Sequence, residues 1–186
     1  STWDSLEIEA INRVIASEKF SMSIEVEKYE QLFAKYIGSK HPLMVSSGSA
    51  ANLLMIASLF YSKDENRKLK RGDEIIVPAV SWSTTYFPLQ QYGLKVKFVD
   101  IDRETLNIDL KKLENAITDK TKAILAVNIL GNSNNFNSIQ KSIGDKNIIL
   151  LEDNCESLGA TFEGKSTGTF GLMGTFSSFY SHHIAT

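Results

Sequence analysis

The sequence lacks most of what marks a secreted, membrane-embedded or nucleic-acid-binding chain. A single cysteine, Cys155, among 186 residues excludes an internal disulfide and fits a reducing cytoplasm; it reads as a small buried side chain. Twenty Lys and Arg stand against 22 Asp and Glu, a formal net charge of −2. That balance gives no positive field for nucleic acid or an anionic membrane to follow, so neither is expected as a partner. No run of about 18 apolar residues is present, and the polar start Ser1-Thr-Trp-Asp4 lacks the basic-then-apolar order of a signal peptide. There is no internal repeat and no low-complexity linker. Histidine is scarce as well: His41, which reads as a surface residue, and the adjacent pair His182 and His183. With no further Cys or His at ligand spacing, the pair is not expected to hold a metal.

What the chain does have is alternation. With 42% apolar residues it is long enough for one sizeable core and too short for two comfortable domains. Leu6, Ile11, Val14 and Ile15 recur at helical spacing behind a cap at Ser1 or Thr2, and Val26, Tyr29, Phe33, Tyr36 and Ile37 mark a second helix from Ile24 that Gly38 stops. Five short apolar runs follow, at 43–45, 75–77, 96–99, 123–127 and 148–151, which read as buried strands. Helical stretches are expected at 50–61, 84–92, 110–117 and 138–143. Strand, crossover, strand is the order of an α/β fold with parallel pairing. The charged stretch 63–72 reads as a solvated loop.

In open parallel sheets, ligands bind beyond the carboxyl ends of the strands, and three such ends carry chemistry. Ser46-Ser-Gly-Ser-Ala-Ala-Asn52 leads into a helix and offers N–H groups, hydroxyls and a positive helix end to an anion; the same residues also make ordinary caps. Trp82, in the loop after the 75–77 run, could stack on a flat ring or pack as core. Asp153, after four apolar residues, needs a partner: a turn's N–H groups, or the protonated nitrogen of a pyridine ring, which would make the ring an electron sink.

Taken together, these motifs resemble the nucleotide-sugar aminotransferase family of fold-type I pyridoxal 5′-phosphate (PLP) enzymes, which also contains sugar 3-dehydratases. The resemblance rests on Ser47-Gly-Ser-Ala50, Pro78 to Trp82, Glu152-Asp-Asn-Cys-Glu156, Gly159-Ala-Thr161, Gly168-Thr-Phe-Gly171 and the Ser-Phe segment from Ser177. It implies an aspartate-aminotransferase-like large domain over 39–186, with a mostly parallel central sheet flanked by helices, preceded by a helical segment over 1–38. It also implies that the family's C-terminal portion is absent, which makes the chain a fragment expected to be inactive alone. By the same resemblance Gly48, Ser49 and Ser177 lie at the cofactor phosphate, Trp82 stacks on the ring, Asp153 pairs with the ring nitrogen and Glu156 sits near the 3-hydroxyl.

The departure falls where the family carries its Schiff-base lysine, which here is His182. An imidazole moves protons but forms no stable imine. The resemblance therefore implies the dehydratase branch: PLP and its aminated form pyridoxamine 5′-phosphate (PMP), L-glutamate as co-substrate, and loss of the C3 hydroxyl from a 4-keto-6-deoxy sugar, with an ordinary sugar aminotransferase as the alternative. Ser181 before the pair, in place of Pro-Ala, favours a GDP-linked over a CDP-linked sugar, in a deoxysugar pathway for bacterial O-antigen. A cytoplasmic homodimer with shared active sites is expected. Adjacent histidines on an extended strand point to opposite faces, so His182 is expected to be the catalytic base and His183 a supporting residue.

Overall fold

In the computed structural model, residues 4–179 and His182 are described, and the chain divides between Met44 and Val45 into two compact units. The first unit holds α1 (Ser5–Ser17) and α2 (Ile24–Ile37). Residues 1–3 lie outside the described part, and the cap of α1 is Asp4: its carboxylate accepts the Leu6 N–H at 2.8 Å while Glu7 takes the Asp4 N–H at 2.7 Å. This reciprocal capping box satisfies two orphan donors of the first turn. Gly38 closes α2 at φ +75°, a conformation that costs a residue without Cβ nothing.

The second unit is an α/β sandwich. Its elements are α3 (Gly48–Phe60), β1 (Glu74–Pro78), α4 (Ser83–Gln91), β2 (Lys95–Val99), α5 (Leu110–Ala116), β3 (Thr121–Val127), α6 (Phe136–Ile143), β4 (Ile149–Asn154), a small hairpin β5 (Thr161–Phe162) and β6 (Lys165–Ser166), and β7 (Met173–Phe176). Five strands form one sheet in the order β2-β1-β3-β4-β7, every pair parallel. The chain moves outward from β1 to β2 and then returns to the other side of β1, so the order reverses at β1 and β3.

Period-two alternation sorts the sheet's side chains between two cores. Ile75, Val77, Leu125 and Leu151 pack with Met55, Ile56 and Leu59 of α3 and Leu89 of α4, whereas Ile76, Ile124 and Leu150 pack with Leu113 of α5 and Phe136, Ile139 and Ile143 of α6. Both faces are covered, which explains why these strands read as continuous apolar runs. On the second face Phe136 and Phe170 stack at 4.1 Å, with Phe162 edge-on to both.

Three sequence expectations are corrected. The run Leu43-Met-Val45 is no strand: Leu43 is exposed, and the Met44 N–H goes to the Glu30 carboxylate at 2.7 Å rather than into a ladder. The strand expected to stop at Leu151 runs on through Glu152, Asp153 and Asn154, all buried. The edge strand β7 was not expected, because Met-Gly-Thr-Phe is too short and glycine-rich to signal itself. The loop at 63–72 is mostly exposed, as expected, but contains a short 3₁₀ turn and is pinned by buried Leu69. Among the described residues no helix is long and apolar enough to cross a membrane.

Candidate active site at the carboxyl ends of the strands

The same alternation that builds the two cores separates two adjacent carboxylates. Asp153 has the parity of Leu151 and faces α3 and α4; Glu152 has the parity of Leu150 and faces the opposite side. Asp153 is 4% exposed. Its Oδ2 accepts from Asn52 Nδ2 and from Thr85 Oγ1, each at 2.8 Å, and its Oδ1 from the Cys155 N–H at 3.1 Å. Glu152 is fully buried. Its Oε1 accepts from the Phe170 and Gly171 N–H groups at 2.6 and 2.7 Å, and its Oε2 from the Gly168 N–H at 2.6 Å and more weakly from Asn128. Burial pushes the Glu152 carboxyl up and these donors pull it back only in part. It ties the Gly168–Gly171 loop to β4.

α3 starts beside Asp153. Ser47 caps it, accepting the Ala50 N–H at 3.1 Å, and Ser49 is exposed on the first turn. The first-turn N–H groups lie outside the intrahelical ladder and carry the helix's partial positive charge. Gly48 is buried so tightly that a Cβ there would lie 2.8 Å from Cys155 Sγ and 2.9 Å from Ser177 Cβ. The absent side chain brings the helix start, the β4 end and the residue after β7 together. Cys155 is partly exposed rather than fully buried as its type suggested; burial and then the Asp153 charge push its thiol up, so it is not a thiolate nucleophile.

Trp82 precedes α4 and is 71% exposed, which removes its reading as a core residue. Behind it, Tyr86 donates to the Pro78 carbonyl at 2.8 Å; burial raises its hydroxyl to about 12, with Ser81 opposing and the Asp153 charge assisting. Glu156 accepts the Leu130 N–H at 3.2 Å. Leu130, exposed and at φ +52°, caps the end of β3 in a conformation unusual for a residue with a bulky side chain.

At His182 the chain turns rather than extends: its N–H donates to the Phe179 carbonyl at 2.7 Å and its ring meets Phe179 edge-on. The expected extended strand is therefore corrected there, because β7 ends at Phe176. His183 and Ser181 lie outside the described residues. His182 Nδ1 is buried and accepts or donates nothing among the described residues.

Gly48, Asp153, Cys155 and Ser177 thus converge in one place, and Asn52, Thr85 and Thr175 join them unforeseen. The one sequence signal for Asn52 is its place among the buried positions of α3, which are 48, 52, 55, 56 and 59: it is the lone polar side chain of that stripe.

The pattern of the DegT/DnrJ/EryC1/StrS aminotransferase family matches residues 2–186. The chain is similar to GDP-4-keto-6-deoxy-D-mannose 3-dehydratase of Escherichia coli O55:H7, 69% identical over the whole chain and 47% of the relative. Among solved structures it is similar to the E. coli enzyme of that name with bound hydrated PLP, at TM-score 0.96 and 69% identity, covering all of this chain and 47% of that one. It also matches a GDP-4-keto-6-deoxymannose-3-dehydratase holding a trapped PLP–glutamate geminal diamine, at TM-score 0.97 and 68% identity with the same coverage. The chain spans about half the length of the curated relatives it matches.

Proposed function

The chain belongs to the DegT/DnrJ/EryC1/StrS aminotransferase family, and on that premise we propose that the whole protein is a PLP- and glutamate-dependent dehydratase. It removes the C3 hydroxyl from GDP-4-keto-6-deoxy-D-mannose and gives the 3,6-dideoxy ketone used for colitose and O-antigen. The observation that carries this reading is His182, standing where the family carries lysine, in a chain 69% identical to such a dehydratase.

Two features of the site suit the cofactor. The missing Cβ of Gly48, which would otherwise meet Cys155 and Ser177, brings Ser177 to the start of α3, where first-turn N–H groups suit a phosphate. The buried Nδ1 of His182 asks for a partner that no described residue supplies. In this reading the N–H groups at Gly48 and Ser49 and the hydroxyls of Ser49 and Ser177 hold the phosphate. Trp82 covers one ring face and excludes water, Asp153 holds a proton on the ring nitrogen, and Glu156, fixed by the Leu130 N–H, sits near the 3-hydroxyl. Bound in its aminated form, the cofactor supplies an amine for the C4 ketone and an electron sink into which the C3 substituent's departure can be coupled.

His182 does the proton work. As the neutral imidazole it takes a proton from the cofactor's C4′ carbon; as imidazolium it returns a proton to the C3 hydroxyl as that leaves as water. Lysine in its place could bond covalently to the aldehyde form of the cofactor and serve ordinary transamination, which an imidazole cannot. The resemblance further supports a homodimer in the bacterial cytoplasm whose subunits complete each other's sites, with 39–186 forming part of the cofactor-binding domain and 1–38 a helical segment ahead of it. His182→Lys in the full-length protein is the test: net C3 deoxygenation should be abolished, and retained dehydration, measured by mass spectrometry of the nucleotide sugar, would overturn the role given to His182.

A further inference from the structure

Asp153 is gripped by side chains for which the mechanism above has no use. Asn52 and Thr85 are each 1% exposed and both donate to the same oxygen, Oδ2, at 2.8 Å. Their orientations are forced by what lies behind them. A carboxylate only accepts, so the single Thr85 hydroxyl proton goes to Asp153, and the Ser81 hydroxyl, 2.8 Å from Thr85 Oγ1, must donate to it. The Asn52 amide oxygen accepts from Thr175 Oγ1 at 2.7 Å, which turns the amide nitrogen toward Asp153; the flipped amide would set one oxygen against another. Pro88 adds a second constraint. Having no N–H, it leaves the Thr84 carbonyl one turn earlier without its helical donor, and Asn52 Nδ2 makes a long 3.5 Å contact with that carbonyl. Asn52 thus ties α3, α4, β4 and β7 together at one carboxylate oxygen.

We propose that Asn52 and Thr85 are positioning residues for the cofactor: by occupying Oδ2 they lock the Asp153 side chain and leave Oδ1, which accepts only the Cys155 N–H at 3.1 Å and has a second lone pair, as the oxygen that meets the ring nitrogen. This rests on the reading of Asp153 as the ring-nitrogen partner. Neither residue touches the cofactor in this scheme; both act through Asp153. A two-donor grip on one oxygen fixes a carboxylate rotamer that a single donor would leave free to swing, and a buried ion pair repays its desolvation only when its geometry is held.

The test uses the full-length protein with PLP as the probe. It reads the equilibrium Kd for PLP, the near-ultraviolet and visible spectrum of bound PLP against pH, and, separately, thermal unfolding of the cofactor-free protein. Asp153→Asn comes first: it should weaken PLP binding and change the spectrum, and if it does neither, the ring-nitrogen reading fails and the inference with it. Given that effect, isosteric Thr85→Val and near-isosteric Asn52→Leu should each weaken PLP binding roughly tenfold, the worth of a hydrogen bond to a charged group, and move the spectrum in the same direction. Thr85→Ser, which keeps the hydroxyl, should restore both. In an Asp153→Asn background Thr85→Val should cost no further affinity, whereas a merely structural role would cost the same in both backgrounds. Wild-type Kd and spectrum in Thr85→Val and Asn52→Leu, whatever their melting temperatures, would overturn the proposal.

Discussion

Replacing Glu152 by glutamine keeps the shape of a fully buried side chain and removes one acceptor oxygen. The carboxylate accepts Phe170 and Gly171 N–H groups on Oε1 and the Gly168 N–H on Oε2. Glutamine's best orientation keeps its oxygen toward Phe170 and Gly171, and its amide nitrogen then faces the Gly168 N–H, donor against donor. An unsatisfied buried donor costs about 1–3 kcal/mol, and each remaining bond falls from the range for charged acceptors to that for neutral ones. Relief of the buried charge offsets part of this, leaving a net destabilisation of about 2–3 kcal/mol, or on the order of 5–10 °C in melting temperature. Hydrogen exchange read by mass spectrometry across residues 168–171 localises the effect: exchange there should accelerate in the variant before the rest of β4 responds.

Acidity separates the natural protein from Glu152→Gln in a second way. Because burial raises the Glu152 pKa in the folded state, the folded chain holds that proton more tightly than the unfolded one. The group's stabilisation is therefore present below the ordinary carboxylate range and declines as pH rises through the folded value. The advantage of the natural protein over Glu152→Gln should thus narrow as pH rises toward neutrality. Unchanged exchange at 168–171, or a gap that widens with pH, would rule out Glu152 as the residue that holds this loop.

Gly48→Ala would place a methyl group 2.8 Å from Cys155 Sγ and 2.9 Å from Ser177 Cβ. Overpacking of that kind costs about 1–3 kcal/mol, and because it displaces Ser177, the proposed phosphate ligand, PLP binding measured by equilibrium dialysis should weaken more than tenfold. Wild-type affinity would contradict that role for Ser177. The Cys155 thiol, pushed up by burial and by Asp153, should react with iodoacetamide at pH 8 at least about tenfold more slowly in the folded protein than in urea, as followed on the Cys155 peptide, since the thiolate is the reactive form.

Much of this architecture is legible in the sequence, because both its sheet faces are buried. Continuous apolar runs mark β1, β3 and β4, whereas the run at 96–99, expected to be a buried strand, is the edge strand β2, interrupted by Lys97 and with Phe98 exposed; the 3.6-residue pattern marks α2 and, less sharply, α3. Leu43–Val45 misleads for the same reason: three apolar residues after a proline look like a strand, and only the route of the Met44 N–H to Glu30 shows that no ladder forms. β7 is hidden because its two interior-facing duties fall to Thr175 and to Gly174, where a Cβ would lie only 2.7 Å from the Gly168 Cα. In the site, single residues at strand ends announce themselves, Asp153 above all, since an acid after four buried aliphatics demands a partner. Asn52, Thr85 and Thr175 do not, because a polar residue within a helix or at an edge strand is ordinary until the fold brings all three to one carboxylate.

In the proposed function, the identity of His182 turns an aminotransferase site toward elimination. Incubating the full-length protein with PLP, L-glutamate and GDP-4-keto-6-deoxymannose, and identifying the sugar by mass spectrometry alongside an ammonia assay, tests it most directly. A 3-deoxy ketone with ammonia released in step is the expected product; a GDP-linked 4-amino sugar with the C3 hydroxyl intact would overturn the role given to His182.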